Sequence, residues 1–244
     1  MLNKRTLIIG ISGLVVLAVV GLLAFNRLTT NNTAPSALTA IRVIVNTAAP
    51  GTSASQPAGT SAAASGLTVY QIVPEQSKVS FTISEDLNGS PNTVVGTTSL
   101  VAGQVALNPQ DLSQTQVGAI QVDARGLATD SNRRNGAIRN FILNSDQYEY
   151  ITFTCKSITG LTGAGQASQP YTFQMTGDLK IRDVPQSVTF DVTAQGTSLT
   201  QISGTAKATV NRSDYNLTIP SVPNVANVGE QVALQIDFAA TSAG

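Results

Sequence analysis

Apolar and polar residues alternate with a period of two through most of the chain beyond Gly66. Val79, Phe81 and Ile83 interleave with Ser80, Thr82 and Ser84, and Ile151, Phe153 and Cys155 with Thr152 and Thr154. Val188, Phe190 and Val192 interleave with Thr189 and Asp191; Val232, Leu234, Ile236 and Phe238 with Ala233, Gln235 and Asp237. Weaker alternation covers Val105–Leu107, Ile120–Ala124, Phe173–Ile181 and Ala206–Val210. Successive side chains of a strand point to opposite faces, so each run predicts a strand with one apolar and one solvated face, as in antiparallel sheets. Asn88-Gly89-Ser90-Pro91, Asn108-Pro109, Gly160–Gly165, Arg182–Pro185 and Gly196 supply turns between them. The one helical stretch is short, over Asp130–Phe141, with Asp130 or Ser131 as its cap and Gly136 weakening its interior. About eight strands favour an all-β fold, either a closed antiparallel barrel or a two-sheet sandwich. The periodicity alone leaves these two open. It also leaves open whether a barrel of this size is filled by side chains or holds one small ligand.

The N-terminal part follows a different pattern. Leu7 to Phe25 is an apolar run of about 19 residues, enough to cross a bilayer core as a helix. Lys4 and Arg5 precede it and Arg27 follows, so with the terminal amine the positive side is the N-terminus. The chain therefore divides into a cytoplasmic tip (1–6), a transmembrane helix (7–25), an Ala/Ser/Thr/Pro linker (26–66) and a β domain (67–244) outside the cytoplasm. The expected location is the cell membrane, as a single-pass protein. A cleaved signal peptide is the rival reading; the run is long for one, and no Ala-x-Ala site follows it directly. The linker buries too little to offset its conformational entropy. Its patch Ile41, Val43, Ile44 and Val45 has no account from the sequence.

Charge and chemistry narrow the function. Basic and acidic residues number 14 each and make up 11% of the chain, which gives no electrostatic footprint for nucleic acid. Histidine is absent, which removes the commonest general base and neutral metal ligand. There is no G-x-S-x-G, C-x-x-C or phosphate-binding glycine loop, and the carboxylates are scattered. The chain is thus expected not to be an enzyme and to need no metal or cofactor. Cys155, the single cysteine, shares the apolar face of its strand and reads as a buried small hydrophobe. Arg133, Arg134 and Arg139 cluster on the helical stretch and fit either a phosphate headgroup or a solvated surface. Arg212 and Asp214 stand two apart on a strand or its end, fitting a structural ion pair or turn clamp.

Four elements in order carry a family resemblance. They are Tyr70-Gln-Ile-Val-Pro-Glu-Gln-Ser-Lys-Val-Ser-Phe81; Arg134-Asn-Gly-Ala-Ile-Arg139 with Tyr148-Glu-Tyr-Ile-Thr-Phe153; Thr176-Gly-Asp-Leu-Lys-Ile181 leading to Val188-Thr-Phe190; and Asn211-Arg-Ser-Asp-Tyr215 with Val228-Gly-Glu-Gln-Val232. Together these resemble the YceI-like, polyisoprenoid-binding family over nearly all of residues 69–239. The resemblance implies a lipocalin-like antiparallel barrel that takes an isoprenoid or other lipid, with no headgroup chemistry specified. Val73, Gln76, Asn135 and Ala137 stand where the family often has Asp or His, so no polar role is carried over there. Arg134, Arg139, Arg212, Asp214 and Glu230 do match by position. Under this resemblance Phe81, Ile83, Ile120, Ile151, Phe153, Phe173, Met175 and Phe190 would line a lipid channel; pattern alone favours a solid core. The expected function is sequestration or carriage of an isoprenoid-like amphiphile near the membrane. The alternative is a structural or interaction module of the cell envelope with a filled barrel. A monomer and a homodimer both remain open.

Overall fold

The computed structural model describes residues 66–242. They form an all-β, antiparallel, strongly curled sheet with one short helix. Thirteen strand segments follow in order: β1 (Thr68–Ile72), β2 (Lys78–Leu87), β3 (Ser90–Thr98), β4 (Val101–Ala102), β5 (Gln104–Asn108), β6 (Asp111–Val117) and β7 (Ile120–Asp123), then β8 (Tyr150–Thr159), β9 (Pro170–Ile181), β10 (Val184–Ser198), β11 (Gln201–Asn211), β12 (Val225–Ala226) and β13 (Gln231–Ser242). Helix α1 (Asn132–Ala137) lies between β7 and β8 and continues into a wider π turn, Ile138–Ile142. Of the two caps the sequence offered, Ser131 takes the role: its side chain accepts from Arg134 N at 3.4 Å.

Several segments are pieces of longer strands broken by kinks, which is why thirteen appear where the alternation predicts about eight. β13 pairs on one flank with both β1 and β2, with Ile72 opposite Ala240 and Lys78 opposite Asp237. Pro74 starts the turn between these two pieces. The ladder survives it because Ser77 substitutes a side chain for lost backbone partners: its Oγ donates to Val73 O (2.8 Å) and accepts from Ala239 N (3.1 Å). In the same way β3, β4 and β5 run along β2 and β1, while β6 and β7 run along β5 and β4. From β7 the ladders pass through β8, β9, β10 and β11 to β13 and so return to the first strand.

The turns are those the sequence calls for. Asn88 and Gly89 both have positive φ (53° and 78°), the geometry of a tight hairpin turn that matches the twist of β2 and β3. Alternation is cleanest on β10, where Val188, Phe190 and Val192 are buried and Thr189 and Asp191 exposed. The apolar faces converge on one core cluster, which includes Tyr70, Val101, Phe153, Leu179, Phe190, Val192 and Ala240. The meander leaves two distinct ends. One carries the β5–β6 turn, the β8–β9 loop, the β10–β11 turn and the point where the chain enters at Gly66. The other carries the β2–β3 hairpin, α1, the β9–β10 turn and the β11–β13 connection. The apolar run at 7–25 and the linker up to residue 65 lie outside the described residues. Among those described, no helix is long and apolar enough to cross a membrane.

Candidate ligand cavity

The curled sheet is not filled. A cavity of about 220 Å³ runs from its middle to the rim made by the β5–β6 turn, the β8–β9 loop and the β10–β11 turn. Its walls are mainly apolar: Tyr70 and Ile72 from β1, Leu107 from β5, Phe173 and Met175 from β9, Val192 from β10, and Phe238 from β13. A second, smaller cavity of about 90 Å³ lies deeper, between Val79, Phe81, Val122, Leu127, Ile151 and Leu179, and its walls present no polar atom. Phe153 and Phe190, which line both cavities, meet edge to face, ring centres 5.0 Å apart at 74°.

Of the eight residues expected to line a channel, Ile120, Phe153, Phe173, Met175 and Phe190 border the larger cavity. Phe81 and Ile151 border the smaller one, which Ile120, Phe153 and Phe190 also touch. Ile83 lines neither. It is half-buried opposite Val94, further along β2 toward the helix end. There the inward face of the strand ends in a charge, Glu85. The sequence reading omitted Tyr70, Leu107, Val192 and Phe238 from the lining. Alternation marks Val192 and Phe238, whereas nothing local shows that Tyr70 or Leu107 reaches the mouth.

Hydrogen bonds of two tyrosines shape the rim. Tyr70, 3% exposed, donates its hydroxyl to Leu199 O at 3.1 Å, tying β1 to the β10–β11 turn. Burial pushes its phenol above the usual value. The Tyr171 hydroxyl accepts from Gln166 N (2.9 Å) and donates to Ala164 O (3.1 Å), folding the β8–β9 loop over the opening. Leu199 itself is 92% exposed. The rim segments 67–72, 104–117, 160–173 and 195–202 contain a single charged side chain, Asp111. Its carboxylate accepts from Ser113 N (3.1 Å), Ser113 Oγ (2.6 Å) and Gln114 Nε2 (2.9 Å), which hold it below its usual pKa.

The arginines singled out by the sequence all sit at the opposite end, away from this mouth. Arg134 donates through Nη2 to the buried Glu85 at 2.8 Å and through Nη1 to Asp130, and Glu85 also accepts from Asn92. This network pins α1 to the β2–β3 hairpin. Arg139 is exposed. Arg212 and Asp214 do not form a pair with each other. They lie in a 3₁₀ turn, Arg212–Tyr215, where residues two apart are rotated by about 240° rather than aligned as on a strand. Arg212 instead clamps the β11–β13 connection, donating to Gly229 O and Leu217 O (both 3.1 Å) and pairing with Glu230 at 3.3 Å. Asp214 accepts from Asn211 at 3.2 Å. Cys155 is half-buried against the core; a bulge follows it, its weak contact is to Ser157 O, and desolvation raises its thiol pKa. No group of His, Cys, Asp and Glu among the described residues is arranged to hold a metal ion.

A family model described as the YceI-like domain matches residues 70–240. Two solved structures share the fold. One is a polyisoprenoid-binding domain from Saccharophagus degradans implicated in plant cell wall breakdown, at 14% identity and TM-score 0.57, covering 72% of this chain and 99% of that one. The other is BcnA from Burkholderia cenocepacia, at 20% identity and TM-score 0.56, covering 70% and 99% respectively. No curated protein matches the chain.

Proposed function

This chain belongs to the YceI-like domain family, and from that premise we propose that it is a membrane-anchored carrier. Its barrel sequesters the hydrocarbon chain of an isoprenoid-like amphiphile on the far side of the membrane from the cytoplasm. The observation that carries the reading is the open apolar cavity in an interior that could have been packed solid. Each CH₂ moved from water into such walls contributes about 0.8 kcal/mol, so a chain of a few isoprene units binds without a strong polar anchor. A rim with one charged side chain, Asp111, supports the same reading, since a lipid tail can pass it with little stripping of water from charged groups. The Saccharophagus domain, a polyisoprenoid-binding one, agrees with this ligand class.

Two features support a carrier that works at a bilayer. The apolar run at 7–25 is long enough to span one, and its basic flank favours a β domain outside the cytoplasm. The chain also enters the domain at Gly66, beside Asn108 of the β5–β6 turn, which is the mouth end. A tether attached there keeps the opening near the membrane and raises the effective ligand concentration. Binding rather than catalysis is the role proposed. Organic extraction of the purified protein followed by mass spectrometry tests the ligand: a linear isoprenoid chain is expected. Repeated recovery of empty protein from a host rich in quinones and polyprenols would favour an envelope interaction module instead.

A further inference from the structure

The two cavities are separated by side chains, not by backbone. Both are lined by the same four residues, Ile120, Phe153, Phe190 and Ile236, and the Phe153–Phe190 contact lies between them. Above the pair is the chamber that reaches the rim, about 220 Å³. That is smaller than the roughly 300–1,000 Å³ of ordinary small-molecule sites. Below it is a wholly apolar pocket of about 90 Å³. Apolar voids of this kind stay dry and accept hydrocarbon when a path opens. The path is narrow. Phe153 is held from behind by Gly177, where a Cβ would approach the ring at 2.9 Å, so the ring has little room to retreat toward β9.

We propose that the Phe153–Phe190 pair is a chain-length gauge, and that it sets the longest isoprenoid tail the upper chamber accepts. The inference rests on the lipid-binding reading above and adds to it the determinant of length. In the observed arrangement a tail entering from the rim stops on the edge-to-face rings, and further isoprene units remain outside the mouth. Shortening either ring joins the lower pocket to the upper chamber and admits more of the tail.

The test uses the full-length protein mixed with phosphatidylcholine vesicles and a photoreactive farnesol analogue that labels the cavity. Linear isoprenols of increasing length, from geraniol through farnesol and geranylgeraniol to longer chains, compete with it. Wild-type competition should strengthen with length and then level off. In F190L and F153L the rise should continue for at least one further unit, so that the ratio of long-chain to short-chain affinity increases about tenfold over wild type. Using identical vesicles throughout cancels partition of the isoprenols into lipid, and the ratio is insensitive to a general loss of affinity in either variant. A ratio unchanged in both variants, each with a wild-type far-UV spectrum, overturns the gauge while leaving lipid binding intact. A wild type that shows no levelling with length does the same. Absence of labelling and of competition at every length overturns the lipid-binding reading and the gauge with it.

Discussion

Tyr215 is 1% exposed, and its hydroxyl has no hydrogen-bond partner among the described residues. Burial, aided by Asp214, pushes its phenol up to about 12, and burial also raises Tyr70. A phenol whose folded pKa lies above its unfolded value stays neutral in the fold while the unfolded chain begins to ionise. The stability it confers is complete below about pH 10 and is lost as pH climbs from there toward 12. Urea melts across that window should show a decline, and Tyr215→Phe should flatten part of it. At neutral pH the same variant should be neutral or more stable by up to about 1 kcal/mol, because it removes a buried hydroxyl that bonds nothing. A loss of more than that would show that the hydroxyl has a partner. For Cys155, whose thiol is desolvated and shifted upward, modification by a thiol reagent should be slow at neutral pH and quicken on unfolding.

Glycines opposite aromatic rings let the strands curl. Gly96 faces Phe81 across β2 and β3, and Gly177 of β9 lies beside Phe153 and against the carbonyl of Thr154. A methyl group at Gly177 would collide with backbone, so Gly177→Ala should cost about 1–3 kcal/mol and disturb Phe153. Urea denaturation is the measure, and an unchanged midpoint would mean that β8 and β9 are free to separate. Helix α1 contributes differently. Arg134 is one half of a pair with a carboxylate that is 7% exposed, so Arg134→Ala leaves Glu85 with only Asn92. The expected loss is about 2–4 kcal/mol, with isoprenol competition unaltered because the pair sits at the end away from the mouth. Lost competition in a protein of unchanged stability would instead make Arg134 a ligand contact.

The charges of the domain are unevenly placed. One end displays arginines and carboxylates, among them Arg134, Glu85, Arg212 and Glu230, and the other shows a rim with Asp111 alone. A protein that takes its ligand from a bilayer benefits from this, since the end with the fewest charges approaches the interface at the lower desolvation cost. On the anchored reading, full-length protein should remain with membranes through salt and carbonate washes and retain its own N-terminus by mass. A mature chain that begins downstream of Phe25 would remove the anchor and leave the cavity reading untouched.

The strand faces could be read from local chemistry. Period two decides which side of Val188–Val192 is buried wherever the strand ends up, and Asn88-Gly89 permits the one turn geometry that suits a hairpin. The family was legible for a related reason: its motifs are short runs such as Thr176–Ile181 in β9 and Asn211–Tyr215 after β11, read from neighbouring residues along the chain. What the pattern could not supply was the space between faces. Whether inward side chains meet or leave a cavity depends on curvature set by distant ladders, on the break at Pro74 that Ser77 repairs, and on rings paired from β8 and β10. Ile83 shows the limit, since it obeys the alternation perfectly and still misses both cavities by lying too near the charged end. So does Arg212, which a 3₁₀ turn rotates away from Asp214 toward a carboxylate eighteen positions along the chain. Facing direction is a property of adjacent residues and is therefore readable along the chain. Depth along the curled sheet and the identity of a charge's partner arise from pairing between distant strands, which no local pattern encodes.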